Sequence, residues 1–236
     1  RRQRQMCIRD SLYNVRSRNV EVTAKRVKPN TRYYVFMENT DLTQYAVPKY
    51  LPIIMNRGTF AVNNIVQSSN AETTGSASIK FRVASPNHKL GTFNNATETI
   101  RRCILPNIGE VDVPTAYSST SEILNIDTAD LASENNIENI GWVRKGMSLV
   151  NESGTAEATV GDLALYSDEK GDLIFSLHIP DPKVIGNPLF TTGSNTIRVT
   201  TSATNASILD PGSSSAEAEY LASGYSTSTQ EQALSI

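Results

Sequence analysis

Short alternating runs, each closed off by turn residues, constrain this chain more than any other feature. Leu173, Phe175, Leu177 and Ile179 form the cleanest of them, bounded by the polar Ser167–Gly171 stretch and by Pro180-Asp181-Pro182. A period of two puts one set of side chains on one face of a strand. Val20, Val22 and Ala24 alternate in the same way with Glu21, Thr23 and Lys25, and Ala156, Ala158 and Val160 repeat the pattern. Arg32–Met37 is a run of aromatic and β-branched residues. Across Lys28-Pro29-Asn30-Thr31 it reads as the hairpin partner of the Val20–Ala24 strand, because Pro presets φ and Asn tolerates a left-handed turn.

Composition agrees. Ser and Thr number 25 and 23 of 236 residues, with 20 Asn beside them. These residues compete with the helical backbone for hydrogen bonds, whereas Thr suits a pleated sheet. A helical bundle is excluded. Other strands are expected over Thr59–Val66, Ser76–Ala84 (with Ile79, Phe81 and Val83 on one face), Ser121–Ile126, Trp142-Val143, Met147–Val150, Asn195–Thr201 and Ala216–Tyr225. Pro48 and Pro52 reduce Tyr45–Met55 to an edge or loop. Pro86–Pro114 reads as long connections, and Thr128–Ser133 as one helical turn capped by Thr128. Short strands between regular turns imply an antiparallel sandwich or barrel.

Several functions fall away. No apolar run approaches the ~20 residues that span a bilayer, so no membrane insertion is expected. With 22 Lys+Arg against 24 Asp+Glu there is no basic stripe for nucleic acid. Cys7 and Cys103 cannot build a disulfide scaffold, and no CxxC or HExxH offers a metal site. No glycine-rich phosphate loop and no GxSxG elbow is present. His178 falls on the polar phase of its strand and is expected to face solvent; His88 is expected in a loop between Pro86 and Gly91. The acidic turn Asp168-Glu169-Lys170-Gly171-Asp172 lacks the order of a calcium loop and reads as turn chemistry. Glu217 and Glu219 share one strand face as a solvated edge, and the sequons at Asn95, Asn151 and Asn205 follow from composition. The expectation is no catalytic, cofactor-binding or metal residue, no cofactor, and no enzyme.

Arg1–Ser11 (RRQRQMCIRDS) resembles the conceptual translation of a sequencing adapter, so residues 1–11 are set aside from the fold. Without them 18 basic residues face 23 acidic ones, and Cys103 is the remaining cysteine. Residues 227–236 carry no closing signal and read as an exit toward further chain.

Val15-Arg16-Ser17-Arg18-Asn19-Val20-Glu21-Val22-Thr23-Ala24 and Val27-Lys28-Pro29-Asn30-Thr31-Arg32-Tyr33-Tyr34-Val35-Phe36 resemble a recurring motif of phage virion proteins. Further pieces follow in the same order: Phe81–Gly91, Ser153–Val160, Phe175–Pro182, Phe190–Gly193 and Ser215–Gly224. Together they are similar to tail-fibre-like or baseplate structural proteins of T4-like marine myophages of the cyanophage type. The chain departs from that pattern at Met37-Glu38-Asn39, where relatives tend to have Phe-Asp-Gly, and at Thr155, where Ala is usual. The resemblance implies an all-β chain: an antiparallel Ig-like or fibronectin-like β-sandwich made of 12–49 plus 161–226, with 50–160 as a β-rich insertion and almost no helix. It implies a virion (phage tail) location, other tail subunits and further copies of itself as partners, a host surface glycan as a further contact, and scaffolding or adhesion without catalysis. Two other readings stand beside it. One is a carbohydrate-binding or glycan-depolymerising fibre domain, with Tyr33, Tyr34, Tyr45, Tyr50 and Trp142 as stacking candidates. The other is a bacterial Ig-like surface adhesin.

Overall fold

The computed structural model of this chain describes residues 6–11, 13–68, 79–132, 140–207, 211–223 and 225–230. It is all-β, with 48% strand and 4% helix, and its sheets are antiparallel. Two sheets share one core. The first runs in the order Arg18–Ala24, Leu173–Ile179, Ala46–Pro48; the second runs Leu165–Tyr166, Arg32–Met37, Gly193–Thr200, Ser215–Ala222, with Thr40–Asp41 beside Arg32–Met37. Tyr33, Val35, Met37, Ile197 and Val199 from one sheet meet Leu173, Phe175, Leu177 and Ile179 from the other. Fully burying each such side chain contributes about 1.5–3 kcal/mol, which makes this the first of two substantial cores.

The second core lies on a six-stranded sheet ordered Ile123–Asn125, Tyr50–Arg57, Glu157–Val160, Ser148–Asn151, Ile65–Ser68, Lys80–Arg82. Leu51, Ile53, Val66, Phe81, Leu124, Leu149 and Val160 fill it. Ile79, Phe81 and Val83 do share its buried face. Two hairpins, His88–Thr92 with Asn95–Thr99 and Arg102–Leu105 with Gly109–Asp112, stand outside this sheet.

Several sequence expectations are corrected here. Arg18–Ala24 does not pair with Arg32–Met37. It pairs along its whole length with Leu173–Ile179, Val22 opposite Phe175 and Val20 opposite Leu177, while Arg32–Met37 belongs to the facing sheet. The Lys28–Thr31 turn is thus a corner between layers. Val27 is buried and its N–H donates to the Gly171 carbonyl, and Arg26 and Asn30 take positive φ. Seven residues pinned in the middle cannot form a tight hairpin. The real hairpin of this region follows at Glu38-Asn39, with Glu38 at φ 54 and its carboxylate accepting the Thr196 N–H at 2.6 Å.

Pro52 does not break its strand. Ile53 N–H donates to Glu122, so position 52 faces the opposite flank, where Glu157–Val160 has ended and Gly161 N–H reaches the Pro52 carbonyl. No donor is needed there. Pro86–Pro114 holds two hairpins rather than long connections; one strand of each, Asn95–Thr99 and Gly109–Asp112, is mostly exposed and polar and hides the alternation, and Asn107 and Gly109 at positive φ make the second turn. Trp142-Val143 is not a strand, and the expected Ser76–Ala84 strand is observed as Lys80–Arg82, with residues 76–78 outside the described residues. The helical turn spans Thr128–Leu131, and its cap is Asp127, whose side chain accepts the Asp130 N–H, not Thr128; Ser133 lies outside the described residues. Met6–Ser11, set aside above, pairs antiparallel with Tyr225–Gln230 as a separate two-stranded sheet that includes part of the 227–236 exit. Residues 1–5 and 231–236 lie outside the described residues.

The largest correction concerns Leu173–Ile179. All seven residues are buried, including Ser176 and His178. The alternation identifies the face turned to the sandwich core. The other face is not solvent, because Trp142 and the Thr128–Leu131 turn cover it.

Candidate functional site

Polar chemistry concentrates where the two cores meet, beginning with the acidic turn. Asp168 accepts the N–H groups of both Lys170 and Asp172 at 2.9 Å, so one carboxylate fixes the loop. Gly171 sits at φ +79, and a Cβ there would lie 2.2 Å from the Val27 carbonyl oxygen. Gly171→Ala is therefore expected to cost about 2 kcal/mol or more, since left-handed strain adds to a backbone collision. A thermal melt matching the parent's would contradict this placement.

The turn aims its carboxylates at Lys89. The Lys89 ammonium lies 2.6 Å from Asp168 Oδ2 and 2.5 Å from Asp172 Oδ2, with Glu98 at 3.8 Å. Its side chain is 1% exposed. Burial alone would lower the Lys89 pKa, but the hydrogen bonds and charges of Asp168 and Asp172 outweigh it and hold the pKa above the ordinary lysine value. The cation bound by this acidic turn is the protein's own.

Lys49 is equally buried and makes no ion pair among the described residues. Its ammonium donates to the Ile126 carbonyl at 2.8 Å, and burial pushes its pKa down to about 8 against the weaker pull of Asp127 and Glu21. Nearby, His88 opens a strand instead of lying in a loop. It is buried, its Nε2 lies 3.1 Å from the Gly91 carbonyl, and burial followed by the Lys49 charge lowers its pKa. Asn125 donates to the carbonyls of Pro86 and His88. Cys103 is a buried free thiol pushed up to about 12 by desolvation, far from the thiolate a nucleophile needs.

His178 forms a second buried cluster. Its ring stacks on Trp142 with centroids 4.7 Å apart, Tyr45 meets Trp142 edge-on at 5.0 Å, and Nδ1 lies 3.0 Å from Asn19 Oδ1. Burial pushes its pKa down to about 4, with Asp181 opposing weakly. A histidine ordinarily titrates near 6.5, so the folded state resists protonation. The stability this contributes is complete above pH ~6.5 and is lost as pH falls toward ~4, a change of about 3 kcal/mol. Denaturant midpoints from pH 7.5 down to 4 should fall more steeply for the parent than for His178→Leu. Parallel profiles would contradict a buried neutral imidazole.

The stacking candidates do not assemble into a platform. Tyr33 is wholly buried with its hydroxyl accepting the Lys28 N–H, Tyr45 is buried, and Trp142 is covered by His178 and Tyr45. Tyr34 carries the Arg32 guanidinium over its ring at 5.1 Å, and the Tyr50 hydroxyl turns inward to His88. Glu217 pairs with Arg198 at 3.2 Å and Glu219 with Ser194, both on the outer strand of the five-stranded sheet. Of the sequons, Asn151 is buried and accepts the Ala156 N–H. The residue that sequence reasoning passed over is Lys89. Nothing local marks a lysine whose partners lie 79 and 83 positions away.

Compared with known proteins, the chain matches no family model, no curated protein and no solved structure.

Proposed function

We propose that this chain is a non-catalytic structural module of a phage virion, part of a tail-fibre or baseplate protein that holds neighbouring subunits and the adhesive apparatus in place. The sequence motifs carry the assignment to virion proteins. One structural observation supports the mechanical role: the buried cations fasten one part of the fold to another. Lys89, from the hairpin beside the second core, is gripped by Asp168 and Asp172 of the turn leading into Leu173–Ile179, and Lys49 closes on the Ile126 carbonyl. Charges used in this way fix relative orientation, and a subunit that bears load needs that more than a titrating site. The partners in this reading are other tail subunits and further copies of the chain. Ser215–Ala222 is a natural place for them, as an eight-residue strand at the end of its sheet with Leu221 exposed.

The test has two arms. The purified chain should self-associate as concentration rises in sedimentation velocity, and it should turn over no polysaccharide, ester or peptide. A monomer that cleaves a polysaccharide, and stops when one carboxylate is neutralised, would overturn the reading in favour of a depolymerase.

A further inference from the structure

We propose that an open cleft at the end of the sandwich, between residues 13–17 and 181–183, binds an anionic saccharide. This deepens the adhesive side of the function proposed above and rests on it. The chain path builds the cleft. Arg18 pairs with Ile179, and four residues earlier Asn14 bridges to Thr191, with Val15 N–H on the Phe190 carbonyl and Thr192 N–H on the Tyr13 carbonyl. Two backbone clamps therefore frame the segment 14–18, and residues 181–183 of the loop between Ile179 and Thr191 form the other wall of the cleft. Asp181 sets the loop's shape. Its carboxylate accepts the Lys183 N–H at 2.9 Å, and its carbonyl accepts Val184 N–H and the Asn187 side chain. The resulting space, about 580 Å³, is lined by Tyr13, Asn14, Arg16, Ser17, Asp181 and Lys183, with Pro182 completing it.

These side chains suit a sugar ring. Tyr13 is 79% exposed, an aromatic ring left in water on a protein that buries Tyr33 and Tyr45. Around it stand a carboxamide, a hydroxyl and a carboxylate that can serve the closely spaced hydroxyls of a saccharide. Arg16 and Lys183 make no ion pair among the described residues, and with Asp181 they leave the cleft one positive charge in excess. A guanidinium left without an ion pair among the described residues is matched to a planar carboxylate or a sulfate on the ligand. The size favours a saccharide unit over a folded protein: binding clefts for small ligands run to about 300–1,000 Å³, whereas a protein partner needs roughly 800 Å² of surface on each side.

The test titrates the whole chain with hexasaccharides of galacturonate, guluronate and heparin, each at up to millimolar concentration, by calorimetry. Maltohexaose, a hexaglutamate peptide and sodium sulfate serve as comparisons. At least one acidic hexasaccharide should bind and maltohexaose should not. Tyr13→Ala and Arg16→Ala should each raise Kd by about tenfold or more, and Lys183→Ala should flatten the dependence on salt. All three side chains are exposed, so melting temperatures should match the parent and separate lost binding from lost folding. Binding of no acidic saccharide, binding that survives both Tyr13→Ala and Arg16→Ala, or equal affinity for sulfate or hexaglutamate would overturn the proposal. A saccharide that binds and is then cleaved keeps the site and removes the non-catalytic reading. Absence of both binding and cleavage does the reverse.

Discussion

Lys89→Met is expected to destabilise the protein by about 3–5 kcal/mol, because it leaves Asp168 and Asp172 facing each other in a nearly dry site with their cation gone. Their side chains are 5% and 16% exposed, and Oδ2 of each lies within 2.6 Å of the ammonium. A surface ion pair would contribute well under 1 kcal/mol and would fade with salt. This one is shielded, so the loss should persist at high ionic strength. Adding Asp168→Asn and Asp172→Asn to Lys89→Met should recover part of the loss, since the penalty comes from the stranded charges more than from the missing attraction. Urea midpoints of the parent, Lys89→Met and the triple variant decide it. A loss under about 1 kcal/mol for Lys89→Met would mean that water, not Lys89, satisfies the two carboxylates.

Phe175→Ala is expected to cost a similar ~3–5 kcal/mol. Phe175 is completely buried, pairs with Val22 on one side and Pro48 on the other, and packs into the sandwich core. Neither neighbouring strand can collapse into the gap without breaking its own ladder. His178→Ala should also be costly, unlike a change on a solvated face, because it empties the space between Trp142 and Asn19. Equal stability of His178→Ala and the parent would restore the solvent-facing placement that the sequence alone suggests.

Why the sequence misled at His178 is instructive. Period two separates the two faces of a strand, and it separated them here: Leu173, Phe175, Leu177 and Ile179 do line the sandwich core. It carries no information about what lies against the other face. Ser176 and His178 look like solvent contacts until Trp142 and the helical turn, both distant in sequence, close over them. The all-β class, the Ser167–Gly171 turn, the strand expected over Asn195–Thr201 and observed as Gly193–Thr200, and the face formed by Ile79, Phe81 and Val83 were legible because each depends on neighbours a few residues apart. Strand partners were not. The Lys28–Thr31 turn has the right residues for a hairpin, yet the buried Val27 and its bond to Gly171 send the chain across to the other layer. Lys89 and the Tyr13 cleft were invisible for the same reason: their members meet only in space.

The pairing of Arg18–Ala24 with Leu173–Ile179 also has a consequence in time. Val22 meets a partner that is synthesised more than 150 positions later. At ordinary translation speeds of ~5–20 residues per second, the early strand waits roughly 8–30 s for that partner to be made. The six-stranded sheet draws all its strands from the stretch made during the wait. It can fold first and bring the two ends of its own chain together, which shortens the loop that the sandwich must close. Until then Val20, Val22 and the Tyr33–Met37 run are exposed to other nascent chains, so the yield of folded protein should depend on how quickly the middle of the chain folds.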